Sequence, residues 1–392
     1  MITNRFIITI NKILQMRIKS LFLLLLITIS VTVVYAQKKQ NKIKNKSMFD
    51  QIKAYDIDFN WGEGGPNAFA KPGLWNDADP IEQADWYYNM GCNVIQTFAV
   101  SCNGYAWYKN GFVPEQPGLK HDFLPEMVNY AHTKGMKVFG YFCVGSNTKW
   151  GLEHPDLSYG IPSEPHIPFT TQYLDYLCTS IEDAIKKTKM DGFMIDWVWN
   201  PGSTMEPYPP LKWLPCEHVM FEELMKKPFP GKENITTEIE QDFRRKAIDR
   251  CWKRIREITK KTDPNCLIWL TSCQLTSKDI EGSDMLKQAD WILNEAGDIS
   301  TTESIRKRIG KKTKLITCLA NWNGQDPVTV LKDAIHNNVG IYGFAKPIDG
   351  SWRMKPVDYY LTNSVDSLKG DEKNIAVLIR SYKGLPLDYI KK

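Results

Sequence analysis

The chain has 392 residues, of which 43% are hydrophobic, 24% charged and 12% aromatic. This composition is typical of a globular protein and excludes a disordered chain, a collagen-like chain and a polytopic membrane protein. The formal net charge is +5, but residues 1–36 hold four basic and no acidic residues, so the charge without them is +1. A nearly neutral chain gives no reason to expect nucleic acid as a partner.

The first 36 residues contain the three parts of a secretory signal peptide. Residues 16–19 carry positive charge, residues 21–34 form an almost wholly apolar run of 14 positions, and Val34-Tyr35-Ala36 ends the run with a cleavage-site pattern. This run is shorter than the roughly 18–20 residues that a membrane span requires. The sequence therefore predicts cleavage near Ala36, a secreted or periplasmic protein, and no stable membrane insertion afterwards.

Residues 37–47 contain five lysines among polar neighbours, which is typical of a solvated tether. The folded domain is predicted to occupy residues 48–392. Within it, short apolar runs alternate with longer amphipathic segments. Predicted strands are 55–60, 93–99, 137–143, 192–197, 266–271, 291–294, 314–319 and 340–344. Predicted helices are 81–90, 123–134, 173–187, 238–260, 302–309 and 327–337, followed by C-terminal segments at 357–368 and 373–382.

Eight strand–helix repeats are typical of an α/β protein built as a single (β/α)8 TIM barrel. An open doubly wound sheet is the alternative, but the sequence has no GxGxxG motif and no phosphate-binding loop. The connections after strands 2, 3 and 4 are long and rich in proline and aromatic residues, as functional loops often are. We therefore expect these loops to form walls around a site.

Cysteine and histidine give no evidence for a cofactor or metal. The nine cysteines are odd in number and form no CxxC pair, so we expect mostly buried free thiols with room for one bridge. The six histidines show no HxH or HExxH spacing. A metal-dependent hydrolase or lyase is therefore disfavoured.

In a TIM barrel the active site lies where the strands end at their C-termini. Here those ends carry carboxylates, amides and tryptophans, and nine of the thirteen tryptophans lie there or in the loops that follow. Indole faces stack on sugar rings, while carboxylates and amides bind sugar hydroxyls. The predicted sugar-binding residues are Asp58, Asn60, Trp61, Trp197, Trp199, Asn321, Trp322 and Lys346. A rim salt bridge between Lys346 and Asp58 is an alternative for that pair.

Glycoside hydrolysis requires two carboxyl groups on either side of the scissile bond. Asp196 ends the apolar strand-4 run and is the predicted nucleophile or base. Glu295 ends strand 6 after Trp291-Ile292-Leu293, where partial burial would raise its pKa as a proton donor requires. Asp298 competes with Glu295 for the acid role, and a loop carboxylate such as Glu206 or Glu217 is a further alternative.

These residues resemble those of retaining α-glycosidases. The resemblance lies in Phe59-Asn60-Trp61-Gly62 after strand 1, in residues 191–196 of strand 4, which read Asp-Gly-Phe-Met-Ile-Asp, and in the carboxylate after strand 6. The chain is similar to the α-L-fucosidase-like glycoside hydrolases of family 29, with the α-galactosidase clan as a neighbour. The resemblance implies Asp196 as nucleophile and Glu295 as acid/base. Asn60 stands where family 29 usually has a histidine, and residues 98–102 lack its paired histidines.

The sequence thus predicts an exported glycoside hydrolase that cleaves α-linked sugars, α-L-fucosides among them, through a two-carboxylate retaining mechanism. Its partner would be an oligosaccharide or glycan. A non-catalytic carbohydrate-binding barrel and an α-galactosidase-like hydrolase are alternatives. An enzyme with its acid on strand 4 and a glutamate nucleophile on strand 7 is disfavoured, because strand 7 ends in Asn321-Trp322-Asn323.

Overall fold

Eight parallel strands close into one barrel in chain order, each paired with the next and the last paired with the first. The computed structural model describes residues 51–62, 69–160, 166–198, 211–273, 275–278, 280–297, 299–319, 324–347 and 350–387. The strands are β1 Lys53–Ile57, β2 Val94–Gln96, β3 Lys137–Cys143, β4 Gly192–Asp196, β5 Leu267–Ser272, β6 Trp291–Asn294, β7 Lys314–Leu319 and β8 Gly340–Ala345. The predicted (β/α)8 barrel is confirmed.

Helices surround the strands. They are α1 Pro80–Met90, α2 Phe123–Thr133, α3 Thr148–Glu153, α4 Thr171–Thr188, α5 Pro215–Met225, α6 Thr237–Thr262, α7 Asp284–Gln288, α8 Thr302–Arg308, α9 Pro327–His336, α10 Val357–Thr362 and α11 Gly370–Tyr382. Short 3-10 helices lie at Pro155–Leu157, Lys232–Asn234, Ile299–Thr301 and Val365–Ser367. Within the described ranges, every helix is too short or too polar to span a bilayer.

Local sequence sets the ends of these helices. Before α1, the Asp79 carboxylate accepts hydrogen bonds from the backbone N–H groups of Ile81 and Glu82 at 2.8 and 3.0 Å. Pro80 occupies the first helical position, and Gly91 ends the helix at a φ of 96°. These are the capping signals that make a helix start and stop predictable from sequence.

Aromatic rings fill the barrel interior. The ring centroids of Phe139 and Trp291 lie 4.5 Å apart, and Trp269 packs edge-on against both of them and against Tyr342. These rings come from β3, β5, β6 and β8, so they join opposite sides of the barrel. Because the interior is packed, a site can form only at an end of the barrel.

Two connections differ from the sequence expectation. The loops after β3 and β4 contain α3 and α5, which the proline-rich surroundings hid. Pro215 stands at the first turn of α5, where a missing N–H costs nothing, rather than breaking a helix.

Two element boundaries also differ from the prediction. The C-terminal segment predicted as a helix at 357–368 is instead α10 followed by a 3-10 turn. Strand β1 ends at Ile57, three residues before the predicted end.

All nine cysteines are free thiols, and seven of them are buried. This agrees with the expected majority of buried thiols. The predicted signal peptide and tether, residues 1–47, lie outside the described residues.

Candidate active site

Four carboxyl groups meet in one pocket at the C-terminal mouth of the barrel. Asp56 and Asp58 come from the end of β1, Asp196 ends β4, and Glu295 follows β6. The rest of the described lining consists of Asn60, Trp61, Gln96, Cys102, Tyr141, Met194, Trp197, Thr271, Leu293, Tyr342 and Phe344. The position agrees with the usual place of catalysis in this fold.

Asp196 is held by a donor on each oxygen. Its Oδ2 accepts a hydrogen bond from the Tyr141 hydroxyl at 2.8 Å, and its Oδ1 accepts one from the backbone N–H of Trp197 at 2.7 Å. Burial raises the pKa of Asp196 to about 6, and these two donors limit the rise because they favour the charged form. At neutral pH the group is therefore mainly an oriented carboxylate.

The backbone after Asp196 adopts a left-handed conformation. Trp197 has a φ of 54°, which is unusual for a bulky residue. Gly145 makes room for it, because a Cβ there would lie 2.5 Å from the Trp197 carbonyl oxygen. The turn directs the Trp197 ring toward Phe69, with centroids 6.0 Å apart, and the side chain lines the pocket. Such strain is typical of functional sites.

Glu295 has a different environment. Its Oε2 accepts a hydrogen bond from the Thr271 hydroxyl at 3.1 Å, and the Cys273 thiol provides a second contact. Burial and then the negative charge of Asp196 raise the pKa of Glu295 to about 8. Glu295 is thus mainly protonated at neutral pH while Asp196 is mainly ionised, which is the division that a proton donor and a nucleophile require.

Asp58 is 7% exposed, and its Oδ1 accepts a hydrogen bond from the backbone N–H of Asn60 at 2.8 Å. Burial is the main cause that raises its pKa to about 7, and the hydrogen bond from Asn60 works against that rise. Trp61 also hydrogen-bonds Asp58, and the charge of Lys346 lowers its pKa. Asp58 therefore changes charge in the same pH range as Asp196 and Glu295.

Among the other predicted sugar-binding residues, Trp61 and Trp197 line the pocket. Asn60 also lines it, but its Oδ1 accepts the backbone N–H of Cys102 at 2.8 Å, so this atom joins two loops. Lys346 is exposed and is not among the described lining residues; its charge lowers the pKa of Asp58, but none of the described ion pairs joins the two. Trp199, Asn321, Trp322, Asp298 and Glu206 lie outside the described residues.

Glu217, the other loop carboxylate considered, does not line the pocket. Its Oε1 accepts a hydrogen bond from the Tyr159 hydroxyl at 2.6 Å, and its Oε2 accepts one from the backbone N–H of Leu214 at 2.8 Å. These bonds connect the loop after β3 with the start of α5. The geometry supports a structural role for this buried glutamate.

Sequence reasoning missed Asp56 and the hydroxyl donors Tyr141 and Thr271. Asp56 could have been found, because it lies two residues before Asp58 and alternate strand residues share a face. The donors gave no such signal, since each meets its carboxylate only through pairing between strands. In the described ranges, no group of three or more His, Cys, Asp or Glu side chains is arranged to hold a metal.

The elevated carboxyl pKa values predict a pH-dependent stability. A carboxyl whose pKa is higher in the folded than in the unfolded chain contributes stability that is complete below about pH 4 and is lost as the pH rises. For Asp58 this loss runs up through about pH 7. Asp58→Asn is therefore expected to raise the free energy of unfolding at about pH 8.5 by on the order of 2 kcal/mol, with little change at about pH 4.

Denaturant unfolding of both proteins at the two pH values measures this difference. Asp333→Asn, on an exposed side chain of α9, is the matched control and should change stability at neither pH. A stability gain of equal size at both pH values would contradict the electrostatic explanation.

Residues 81–197, which run from α1 to the tryptophan after Asp196, match the family described as GHL6, hypothetical glycosyl hydrolase 6. The matched segment includes β2, β3 and β4 and therefore the Tyr141–Asp196 pair. No curated protein sequence matches the chain. The family match and the barrel support a glycoside hydrolase.

Solved structures share the fold. Alpha-L-fucosidase isoenzyme 2 from Paenibacillus thiaminolyticus has a TM-score of 0.59 and 14% identity, over 85% of this chain and 49% of that chain. The glycoside hydrolase domain of PgaB (BpsB) from Bordetella bronchiseptica has a TM-score of 0.52 and 12% identity, over 75% of this chain and 93% of that chain. The beta-galactosidase from Bacillus circulans sp. alkalophilus has a TM-score of 0.53 and 10% identity, over 85% and 56%. This chain thus spans about half the length of the fucosidase chain.

Proposed function

We propose that the protein is an exported glycoside hydrolase that cleaves α-linked sugars with retention of anomeric configuration. One observation carries the proposal: Asp196 and Glu295 line one pocket at the barrel mouth, Asp196 with a donor on each oxygen and Glu295 beside the Thr271 hydroxyl. Burial raises the pKa of Asp196 to about 6, and burial and the charge of Asp196 raise that of Glu295 to about 8. Between these values the enzyme holds one ionised and one protonated carboxyl group. That is the state in which a two-carboxylate glycosidase binds its substrate.

In the first step, the Asp196 carboxylate attacks the anomeric carbon and the bond to the leaving-group oxygen breaks. Glu295 transfers its proton to that oxygen, so a neutral alcohol leaves and a covalent glycosyl–enzyme ester remains. In the second step, the Glu295 carboxylate removes a proton from water, which attacks the same carbon and releases Asp196. Each carboxyl group thereby returns to its starting state.

We further propose α-L-fucosides as the first candidate substrates, with α-galactosides as the alternative. Support comes from the strand-1 and strand-4 motifs and from the fold shared with a fucosidase. Trp61 and Trp197 provide the aromatic faces on which a sugar ring would stack. Export is supported by the signal-peptide pattern of residues 1–36, and N-terminal sequencing of the secreted protein should begin near Gln37.

The test is release of the aryl alcohol by the purified protein from a panel of α- and β-linked aryl glycosides, α-L-fucoside included. We expect release from one α-anomer and, by NMR, a first product with the same anomeric configuration. An inverted first product would exclude Asp196 as a nucleophile and assign it as the base. A folded protein that binds sugars but releases nothing across the panel would favour the non-catalytic carbohydrate-binding barrel.

A further inference from the structure

Asp56 lies inside β1, two residues further into the barrel than Asp58, and has no part in the mechanism above. It is 2% exposed, lines the pocket, and its Oδ1 is buried without a hydrogen-bond partner. A buried carboxyl oxygen without a partner is costly, so natural proteins rarely keep one without a reason. Its position in the sugar-binding pocket suggests that the partner is supplied by a ligand.

Two other polar side chains of the pocket lining, Gln96 and Tyr342, hydrogen-bond each other. Gln96 donates from Nε2 to the backbone oxygen of Thr97 at 3.0 Å, which fixes its Oε1 as an acceptor. The Tyr342 hydroxyl donates to that Oε1 at 2.7 Å. A phenol has one hydrogen to donate, so the Tyr342 oxygen can only accept a second bond.

Burial and the nearby charge of Asp58 raise the pKa of Asp56 well above its usual range, and the Tyr342 hydroxyl beside it acts in the opposite direction. The Oδ1 atom can accept a hydrogen bond whether or not the other carboxyl oxygen carries a proton.

The charge of the pocket restricts what can bind there. Four carboxyl groups line it, and its described lining contains no lysine, arginine or histidine. An anionic sugar such as a uronic acid would lose hydration and be repelled by the ionised carboxylates. An uncharged sugar hydroxyl can donate to Oδ1 without either penalty.

We propose that Asp56 is a specificity-determining residue of the innermost sugar subsite, an inference that rests on the proposed function. Its Oδ1 accepts a hydrogen bond from a hydroxyl group of an uncharged sugar.

The first test compares two substitutions by calorimetric titration with L-fucose and with D-galactose. Asp56→Asn keeps an acceptor oxygen and an N–H donor toward Tyr342, so affinity should fall by no more than about 3-fold. Asp56→Ala removes both and should weaken binding by roughly 10- to 100-fold, the usual effect of leaving a buried polar partner unpaired. Asp333→Asn is the surface control.

Monodeoxy sugars identify the hydroxyl. Removing one particular hydroxyl should weaken binding to the wild-type protein but not weaken binding to Asp56→Ala any further. D-galacturonic acid should bind the wild-type protein at least 10-fold more weakly than D-galactose.

Several outcomes would overturn the proposal. They are equal losses in Asp56→Asn and Asp56→Ala with both proteins folded, undiminished binding by Asp56→Ala, tight binding of D-galacturonic acid, or no binding of either neutral sugar to the wild-type protein. Binding does not require turnover, so the two proposals can fail separately. Asp56-dependent sugar binding without hydrolysis would reject only the proposed function, whereas hydrolysis without Asp56 dependence would reject only this inference.

Discussion

Asparagine in place of Asp196 is expected to lower kcat by roughly 10⁴-fold or more on every glycoside that the wild-type protein cleaves. The amide has nearly the same shape: its oxygen can accept from the Trp197 N–H and its NH2 group can donate to the Tyr141 hydroxyl oxygen, so the pocket should stay intact. It cannot form the covalent ester, because a neutral amide is a poor nucleophile. Initial rates on the best aryl glycoside, with circular dichroism to check folding, measure the effect.

Chemical rescue separates a nucleophile from an acid/base residue at this position, because rescue of an acid/base variant would give an azide of retained configuration. With Asp196→Gly and added azide, a retaining enzyme should form a glycosyl azide of configuration opposite to that of the substrate. The matched control is Asp175→Asn on the exposed face of α4, which should leave kcat unchanged. An Asp196→Asn protein with more than about a tenth of wild-type activity would remove Asp196 from the reaction.

Glutamine in place of Glu295 is expected to lower kcat/KM by about 10²- to 10⁴-fold on substrates with poor leaving groups, because these require a proton from the enzyme. On a dinitrophenyl glycoside, whose leaving group departs without a proton, formation of the intermediate should be far less affected. A loss of the same size on both substrates would assign Glu295 a structural role and favour Asp298 as the acid.

The same variant should change the pH profile. In the wild-type protein kcat/KM should rise as Asp196 ionises near pH 6 and fall as Glu295 loses its proton near pH 8. The two apparent pKa values that these limbs report belong to the interacting pair of carboxyl groups and not to either group alone. Glu295→Gln should lose the alkaline limb. It should also shift the acidic limb, because the carboxyl neighbour of Asp196 is gone. A profile with both limbs unchanged in the variant would contradict the assignment.

Sequence patterns placed two of the pocket's carboxylates at the barrel mouth because these patterns depend on local rules. Asp196 and Glu295 each end a short apolar run, and a charged residue ends such a run where the strand reaches solvent. The strand–helix alternation placed both ends at the same mouth of one barrel. Three predicted strands, Lys137–Cys143, Trp291–Asn294 and Lys314–Leu319, agree with the structure at both ends.

Residues whose role depends on distant partners were predicted less well. Asn60 was expected to hold sugar, but its Oδ1 bonds the backbone of Cys102, forty-two positions away in the chain. Asp56 was overlooked because it lies inside the β1 run, where a carboxylate is not expected unless the barrel interior is already polar. The Glu217–Tyr159 bond joins the start of α5 to the loop after β3, and no sequence pattern links these two segments.

The sequence by itself thus determined the barrel, the mouth at which the pocket lies, and two of the carboxylates that line it. Periodicity and strand ends are properties of a single segment, so they can be read from it directly. Only the tertiary structure decided how each carboxyl group is surrounded. Burial and the approach of Asp196 to Glu295, which raise the pKa of Glu295, exist only when separate strands pack side by side.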